Sequence, residues 1–299
     1  MIGVFDSGHG GLTVLRALTT TLPDERFLYL GDHAYAPYGM RSNEEIYQLT
    51  RRRIADLFER GCDLVVLACN TASAVALRRL QQDWLPVAAP QKRILGVFVP
   101  VVEALTAQDW YVRGPSPYAP PRAARTVGVF ATRRTVESRS FPTEIKARAP
   151  SMSVIQQPCP RLAEAIEEGL ADDALRRGVE RYVGQLLAKA GRTQLDLVVL
   201  GCTHFPLVGD HFRAALPRDV RVMDQPDVVA QSLVAYLTRH PEFKRRPDET
   251  PGLELLTSGD PKAVSEIAAR FYGAPAPFRH LSGVEPEPTE TLIAESEAQ

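Results

Sequence analysis

The chain has little cysteine, no long apolar run and almost no excess of charge, and each shortage removes a class of protein. Four cysteines in 299 residues (Cys62, Cys69, Cys159 and Cys202) are too few for a disulfide scaffold. None forms a C-x-x-C pair, and only Cys202 has a close ligand-type neighbour, His204, so the local pairing that zinc needs is missing and no metal is expected. No apolar segment approaches the roughly 20 residues of a membrane-spanning helix, so no membrane association is expected. A strand is expected to begin at Ile2 with no signal sequence ahead of it, which points to a cytoplasmic protein with its cysteines kept as thiols. A formal net charge of −1 leaves no basic field for nucleic acid. The densest basic cluster, Arg51-Arg52-Arg53, falls inside an amphipathic helical pattern and reads as a solvated face.

What is present is ordinary in amount, with 44% hydrophobic and 24% charged residues, as expected of a globular chain. Its length is about twice the roughly 150 residues of a typical domain, so two domains are expected. A repeat supports two similar halves. Asp63-Leu64-Val65-Val66-Leu67 precedes Ala68-Cys69-Asn70-Thr71, Asp196-Leu197-Val198-Val199-Leu200 precedes Gly201-Cys202-Thr203-His204, and the offset between the thiols is 202 − 69 = 133 residues. Runs this short, apolar and β-branched read as strands buried on both faces of a parallel sheet. Ligands bind outside the carboxyl ends of such strands, which is where both thiols would sit.

The order of elements repeats as well. Ile2 to Phe5 is a strand, Asp6-Ser7-Gly8-His9-Gly10-Gly11 a loop, and Leu12, Val14, Leu15 and Leu18 recur at helical spacing. Thr13 stands where a dinucleotide fingerprint needs its third glycine, although amides at a helix start still suit a carboxylate. A strand at Phe27 to Leu30 leads to the turn Ala36-Pro37-Tyr38-Gly39, and Ser42 with Glu45 opens a long helix. Cys69 precedes another helix, whose N-terminus would favour a thiolate. Residues 107–125 carry four prolines without periodicity and read as a loop insertion, after which strand, loop and helix restart at Val127. The expected fold is therefore α/β: two similar parallel-sheet domains related by a pseudo-two-fold axis, with the active site in the cleft between them. Residues 1–98 and 210–284 would form the first domain, 99–209 the second, and 285–299 a flexible Pro- and Glu-rich tail.

Cys62 and Cys159 read as small buried hydrophobes. Cys69 and Cys202 differ, because each follows a buried strand and has a candidate proton acceptor: Asp6 at the end of the first strand, and His204 two residues from Cys202. Two such groups on opposite faces of one carbon suit stereoinversion, one removing a proton and the other returning one. Spacing alone leaves this open beside a single-thiol hydrolase.

Four motifs in order (Asp6 to Val14, Asp32 with Pro37-Tyr38-Gly39, Ala68 to Ala74, and Gly201 to Leu207) resemble glutamate racemases of the aspartate/glutamate racemase superfamily over roughly residues 2–272. That resemblance implies interconversion of L- and D-glutamate without a cofactor, feeding peptidoglycan synthesis. It implies that Cys69 deprotonates the D-enantiomer and Cys202 the L-enantiomer, helped by Asp6 and His204. By the same resemblance Ser7, Tyr38, Gly39, Asn70, Thr71, Thr132 and Thr203 hold the substrate, and Glu167 lies on a helix near the site. His9 and His33-Ala34-Tyr35 fall at positions that vary in the family, and Asp224-Gln225 replaces a more usual Asp-Ser. The same chemistry on aspartate or another amino acid, and a non-catalytic gyrase-inhibitor role, are the alternatives. Assembly is left open between a single chain and a homodimer.

Overall fold

The computed structural model describes residues 1–106 and 126–281, so the insertion expected at 107–125 and the tail expected from Glu285 lie outside the described residues. The strands are β1 (Ile2–Asp6), β2 (Arg26–Gly31), β3 (Leu64–Leu67), β4 (Arg93–Gly96), β5 (Thr126–Ala131), β6 (Ser153–Pro158), β7 (Leu197–Gly201), β8 (Arg221–Met223), β9 (Gly252–Thr257) and the short, exposed β10 (Arg279–His280). All their pairings are parallel. One sheet runs β10-β9-β2-β1-β3-β4 and the other β6-β5-β7-β8. Without β9 and β10 the two orders are the same walk, and the repeated stretches are β3 and β7, the third strand of each. Every residue of both strands is buried.

This correspondence corrects one expectation. The strand near Val220–Met223, assigned from sequence to the part that returns to the first domain, is β8 and pairs with β7 from Leu197↔Arg221 to Val199↔Met223. A second unit built like the first needs a fourth strand, and β8 supplies it. The return comes later, with β9 joining β2 from Arg26↔Gly252 to Gly31↔Thr257.

Helices cover the sheets as their apolar spacing dictates. The helix Leu12–Thr21 buries Leu12, Val14, Leu15 and Leu18 and packs against the helices Pro226–Arg239 and Pro261–Tyr272. Each such fully buried aliphatic side chain contributes about 1.5–3 kcal/mol. The helix Asn43–Glu59 opens with the expected capping box, Ser42 Oγ accepting from Glu45 N at 3.2 Å and Glu45 Oε2 from Ser42 N at 2.8 Å.

The same helix corrects the reading of the arginine run. Arg53 is fully buried beside Ile54 and Leu57, its Nε 3.1 Å from Asp32 Oδ1 and its guanidinium 2.7 Å from Asp56 Oδ2. Only Arg51 of the three is exposed. The helix Ser140–Arg148 stands where the order of strand, loop and helix restarting at Val127 calls for one; it buries only Phe141 and Ile145, and Phe141 packs on Phe98 with ring centroids 4.4 Å apart.

Candidate active site

Loops at the carboxyl ends of β1, β2, β3, β5, β6 and β7 converge on one cavity of about 440 Å³. Its wall includes Cys69 and Cys202, together with Ser7, Tyr38, Gly39, Asn70, Thr71, Thr132, Glu167, Thr203 and His204. Asp6 lies behind the wall, buried under Gly8 and Thr203. The geometry thus brings every candidate site residue to the wall of one cavity or, for Asp6, directly behind it, as a result of parallel strands sharing their carboxyl ends.

The glycine loop is tied down by its own carboxylate. Asp6 Oδ1 accepts from Gly8 N at 2.7 Å and Oδ2 from Thr203 Oγ1 at 3.4 Å, so the loop's own carboxylate takes one of its amides. Thr13 Oγ1 donates to Thr203 O at 3.0 Å. A Cβ on Gly10 would fall 2.3 Å from Thr203 Oγ1 and 2.4 Å from the His204 ring. Glycine is required there because the two loops touch backbone to side chain.

On one side of the cavity Cys69 caps the helix Asn70–Val75, with its Sγ 3.4 Å from Ala72 N and 3.5 Å from Ser7 Oγ. The expected thiolate does not follow. Burial pushes the Cys69 thiol up to about 12, the charge of Asp6 adds to it, and the contacts of Ser7 and Ala72 only partly offset both. A helix of one and a half turns offers too small a dipole to overcome the lost hydration. Asp6 is itself held above the ordinary carboxylate range by burial, with the nearby His204 charge opposing the shift.

On the other side Cys202 Sγ lies 3.9 Å from His204 Nδ1, and His204 Nε2 lies 2.8 Å from Glu167 Oε2. Burial favours the neutral ring, but Cys202 and Glu167 outweigh it and hold the imidazolium well above the ordinary histidine range. Glu167 shows the complementary balance: burial opposes its charge, yet His204 and His9 keep its carboxyl far below the usual range. The two thiols therefore have unlike partners, a hydroxyl and a carboxylate for one and an imidazole for the other.

Around them stand fixed polar groups. Thr71 Oγ1 is 3.0 Å from Thr132 Oγ1, which caps the helix Arg133–Glu137 and is 3.1 Å from Thr135 Oγ1. Tyr38 OH donates to Asp32 Oδ2 at 2.7 Å, so the buried Asp32–Arg53 pair anchors this part of the wall.

Sequence reasoning missed several participants. His9 reaches Glu167, Gln225 pairs with Asn70, and Arg133 and Arg161 join the cavity wall. Cys159 also lines it; burial holds its thiol well up, and its Sγ faces Gln157 O at 3.6 Å. The position of Arg133, directly after a strand end and a helix cap, was the one readable signal. His9 and Gln225 depend on contacts across 158 and 155 residues. Among the described residues no His, Cys, Asp and Glu cluster of three or more could hold a metal ion, and no helix is long and apolar enough to cross a membrane.

Residues 2–233 match the family model described as Asp/Glu/hydantoin racemase. The chain is 47% identical over 283 residues to the glutamate racemase of Dinoroseobacter shibae, covering 93% of this chain and 97% of that one. Among solved structures it is similar to a glutamate racemase isoform of Bacillus anthracis (TM-score 0.79, 28% identity, 94% and 96% covered). It is equally similar in shape to the Francisella tularensis glutamate racemase in complex with D-glutamate (TM-score 0.79, 25% identity, 95% and 98% covered).

Proposed function

The chain belongs to the Asp/Glu/hydantoin racemase family and is an isomerase, and from that premise we propose that it interconverts L- and D-glutamate by moving protons between two thiols and the α-carbon. The observation that carries this reading is the pairing of Cys69 and Cys202: they follow the equivalent strands β3 and β7 and line one cavity of about 440 Å³.

In the L-to-D direction Cys202, with His204 as its proton partner, takes the α-hydrogen as a proton. The electron pair of the broken C–H bond stays on the substrate, delocalised toward its carboxylate. Cys69, kept protonated by burial, gives its proton to the opposite face. The D-to-L direction reverses each step, with Cys69 as base and the buried Asp6 beside it. After one L-to-D turnover Cys69 is the thiolate and Cys202 the thiol, so the next L-glutamate waits until solvent resets both. Ser7, Tyr38, Gly39, Asn70, Thr71, Thr132 and Thr203 would hold the amino and carboxylate groups, and preorganised donors in a water-poor cleft are what a developing negative charge requires. No group beyond the chain's own side chains enters the scheme. D-glutamate made this way in the cytoplasm would serve peptidoglycan synthesis.

The test is turnover in deuterium oxide. Circular dichroism should show either enantiomer decaying to a racemate, with solvent deuterium in the α-position and no pyridoxal phosphate added. Cys69→Ala and Cys202→Ala should each abolish racemisation in both directions. Near-full turnover by either variant would end the two-thiol reading.

A further inference from the structure

Glu167 belongs to the helix Leu162–Glu167 of the second unit, yet its side chain serves two histidines from different units. One oxygen faces His204 Nε2 at 2.8 Å; the other faces Nδ1 of His9, in the loop after β1, at 2.5 Å. The far nitrogen of His9, Nε2, lies 3.1 Å from Val264 O. A carbonyl only accepts, so Nε2 carries a hydrogen, and the short contact to the carboxylate requires a proton between Nδ1 and Oε1. The His9 ring is buried, stacked on Phe271 at 5.6 Å between centroids and met edge-on by His33 at 4.3 Å. Arg270 from the first unit also holds the Glu167 backbone carbonyl at 2.5 Å. A carboxylate with both oxygens and its backbone fixed has one orientation.

We propose that His9 is a positioning residue for the Cys202 side of the reaction: by holding one oxygen of Glu167 it aims the other at His204, and so sets the imidazole that exchanges the proton of Cys202. Residues 9, 167, 204 and 202 then form one line of contacts, from a main-chain carbonyl of the first unit to the thiol of the second. Among the described residues the neighbours of Cys69 are Ser7, Asp6 and the Ala72 amide, and no histidine–carboxylate line stands behind them. The inference rests on the proposed role of Cys202 and His204 and adds the residue that orients them.

The experiment uses the sign of two isotope effects. Racemisation has an equilibrium constant of unity, so any variant lowers kcat/KM equally in both directions, and a directional defect is invisible there. It becomes visible with α-deuterated substrates. Deuterium on L-glutamate reports the step at Cys202, and deuterium on D-glutamate the step at Cys69. His9→Phe keeps the aromatic stack and removes both N–H groups, and His9→Val removes them without the ring, should the larger ring not fold. Either variant should lose about tenfold in kcat/KM, the scale of one lost charge-assisted hydrogen bond. The isotope effect should rise with deuterated L-glutamate and fall with deuterated D-glutamate. His9→Gln, which can still donate to Glu167, should recover most of the loss. Unmoved isotope effects in a folded variant, both moving in the same sense, or a His9→Gln as impaired as His9→Phe would each overturn the assignment. A wild-type chain that never exchanges the α-hydrogen would instead overturn the underlying reading of the site, and this inference with it.

Discussion

Asn70 and Gln225 exchange two amide hydrogen bonds, Asn70 Nδ2 to Gln225 Oε1 at 2.6 Å and Gln225 Nε2 to Asn70 Oδ1 at 3.0 Å, both buried. The pair joins the residue after Cys69 to the start of the helix Pro226–Arg239, across 155 positions of sequence. Removing one buried partner leaves the other's polar atoms unsatisfied, at a cost of about 1–3 kcal/mol. Gln225→Ala should therefore lower the unfolding free energy by that amount. In a double-mutant cycle with Asn70→Ala the two changes should be non-additive by roughly 1 kcal/mol. Strict additivity in urea unfolding would mean the reciprocal bonds carry no weight.

The Asp32–Arg53 pair makes a larger claim on stability. Both side chains are fully buried, and Tyr38 donates to the same carboxylate. Arg53→Met leaves Asp32 charged in an apolar setting, where burial already holds its carboxyl above the ordinary range against the pull of Arg53. Loss of one member of such a pair costs about 3–5 kcal/mol. The double change Asp32→Asn with Arg53→Met should recover part of it, since the carboxylate left without Arg53 is then only that of the partly exposed Asp56. Equal destabilisation of the single and double variants would show that packing, and not charge, dominates.

Much of this architecture could be read from residues alone, and the failures share a cause. The repeat at 63–67 and 196–200 located β3 and β7 because a doubly buried strand leaves a continuous apolar run. Ser42 and Glu45 announced a helix start because the capping box is local. Arg53 was misread because charge patterning along one helix cannot register Asp32, 21 positions earlier on another element. β8 was placed in the wrong sheet because three residues carry no sheet address; only the matched strand order does. His9 and Gln225 stood out only as departures from the family and not as parts of the site for the same reason: each is defined by a partner more than 150 residues away.

Stability should depend on pH through Glu167 and His204 with opposite signs. The folded-state pKa of Glu167 lies below its ordinary 4.5, so its contribution is present above that value and lost as pH falls toward the folded pKa, where the unfolded chain binds the extra proton. His204 is raised above its ordinary 6.5, so its contribution is complete below 6.5 and lost as pH climbs through the folded value. Together they are fully present only between about 4.5 and 6.5. Glu167→Gln should flatten both limbs, because it removes the carboxylate and one of the two groups that hold the imidazolium. Urea unfolding across the acid and alkaline limbs checks this. Unchanged pH slopes in the variant would refute the coupling.

Ser7 offers the mirror image of the His9 experiment. Its Oγ lies 3.5 Å from Cys69 Sγ, and its contact is one of the few influences that draw that thiol down against burial and the Asp6 charge. Without it the thiolate that must form when Cys69 acts as base is less stable, while the Cys202 side keeps His204 and Glu167. Ser7→Ala should lower kcat/KM equally for both enantiomers, by about tenfold or less for a single hydrogen bond to a charged group. The isotope effect should now rise with deuterated D-glutamate and fall with deuterated L-glutamate, opposite to the pattern expected at His9. Each variant thus serves as the other's control, since a general loosening of the cleft would move both in the same sense. If Ser7→Ala and His9→Phe shift the isotope effects identically, the two thiols are not separately tuned and the asymmetry of their partners has no kinetic consequence.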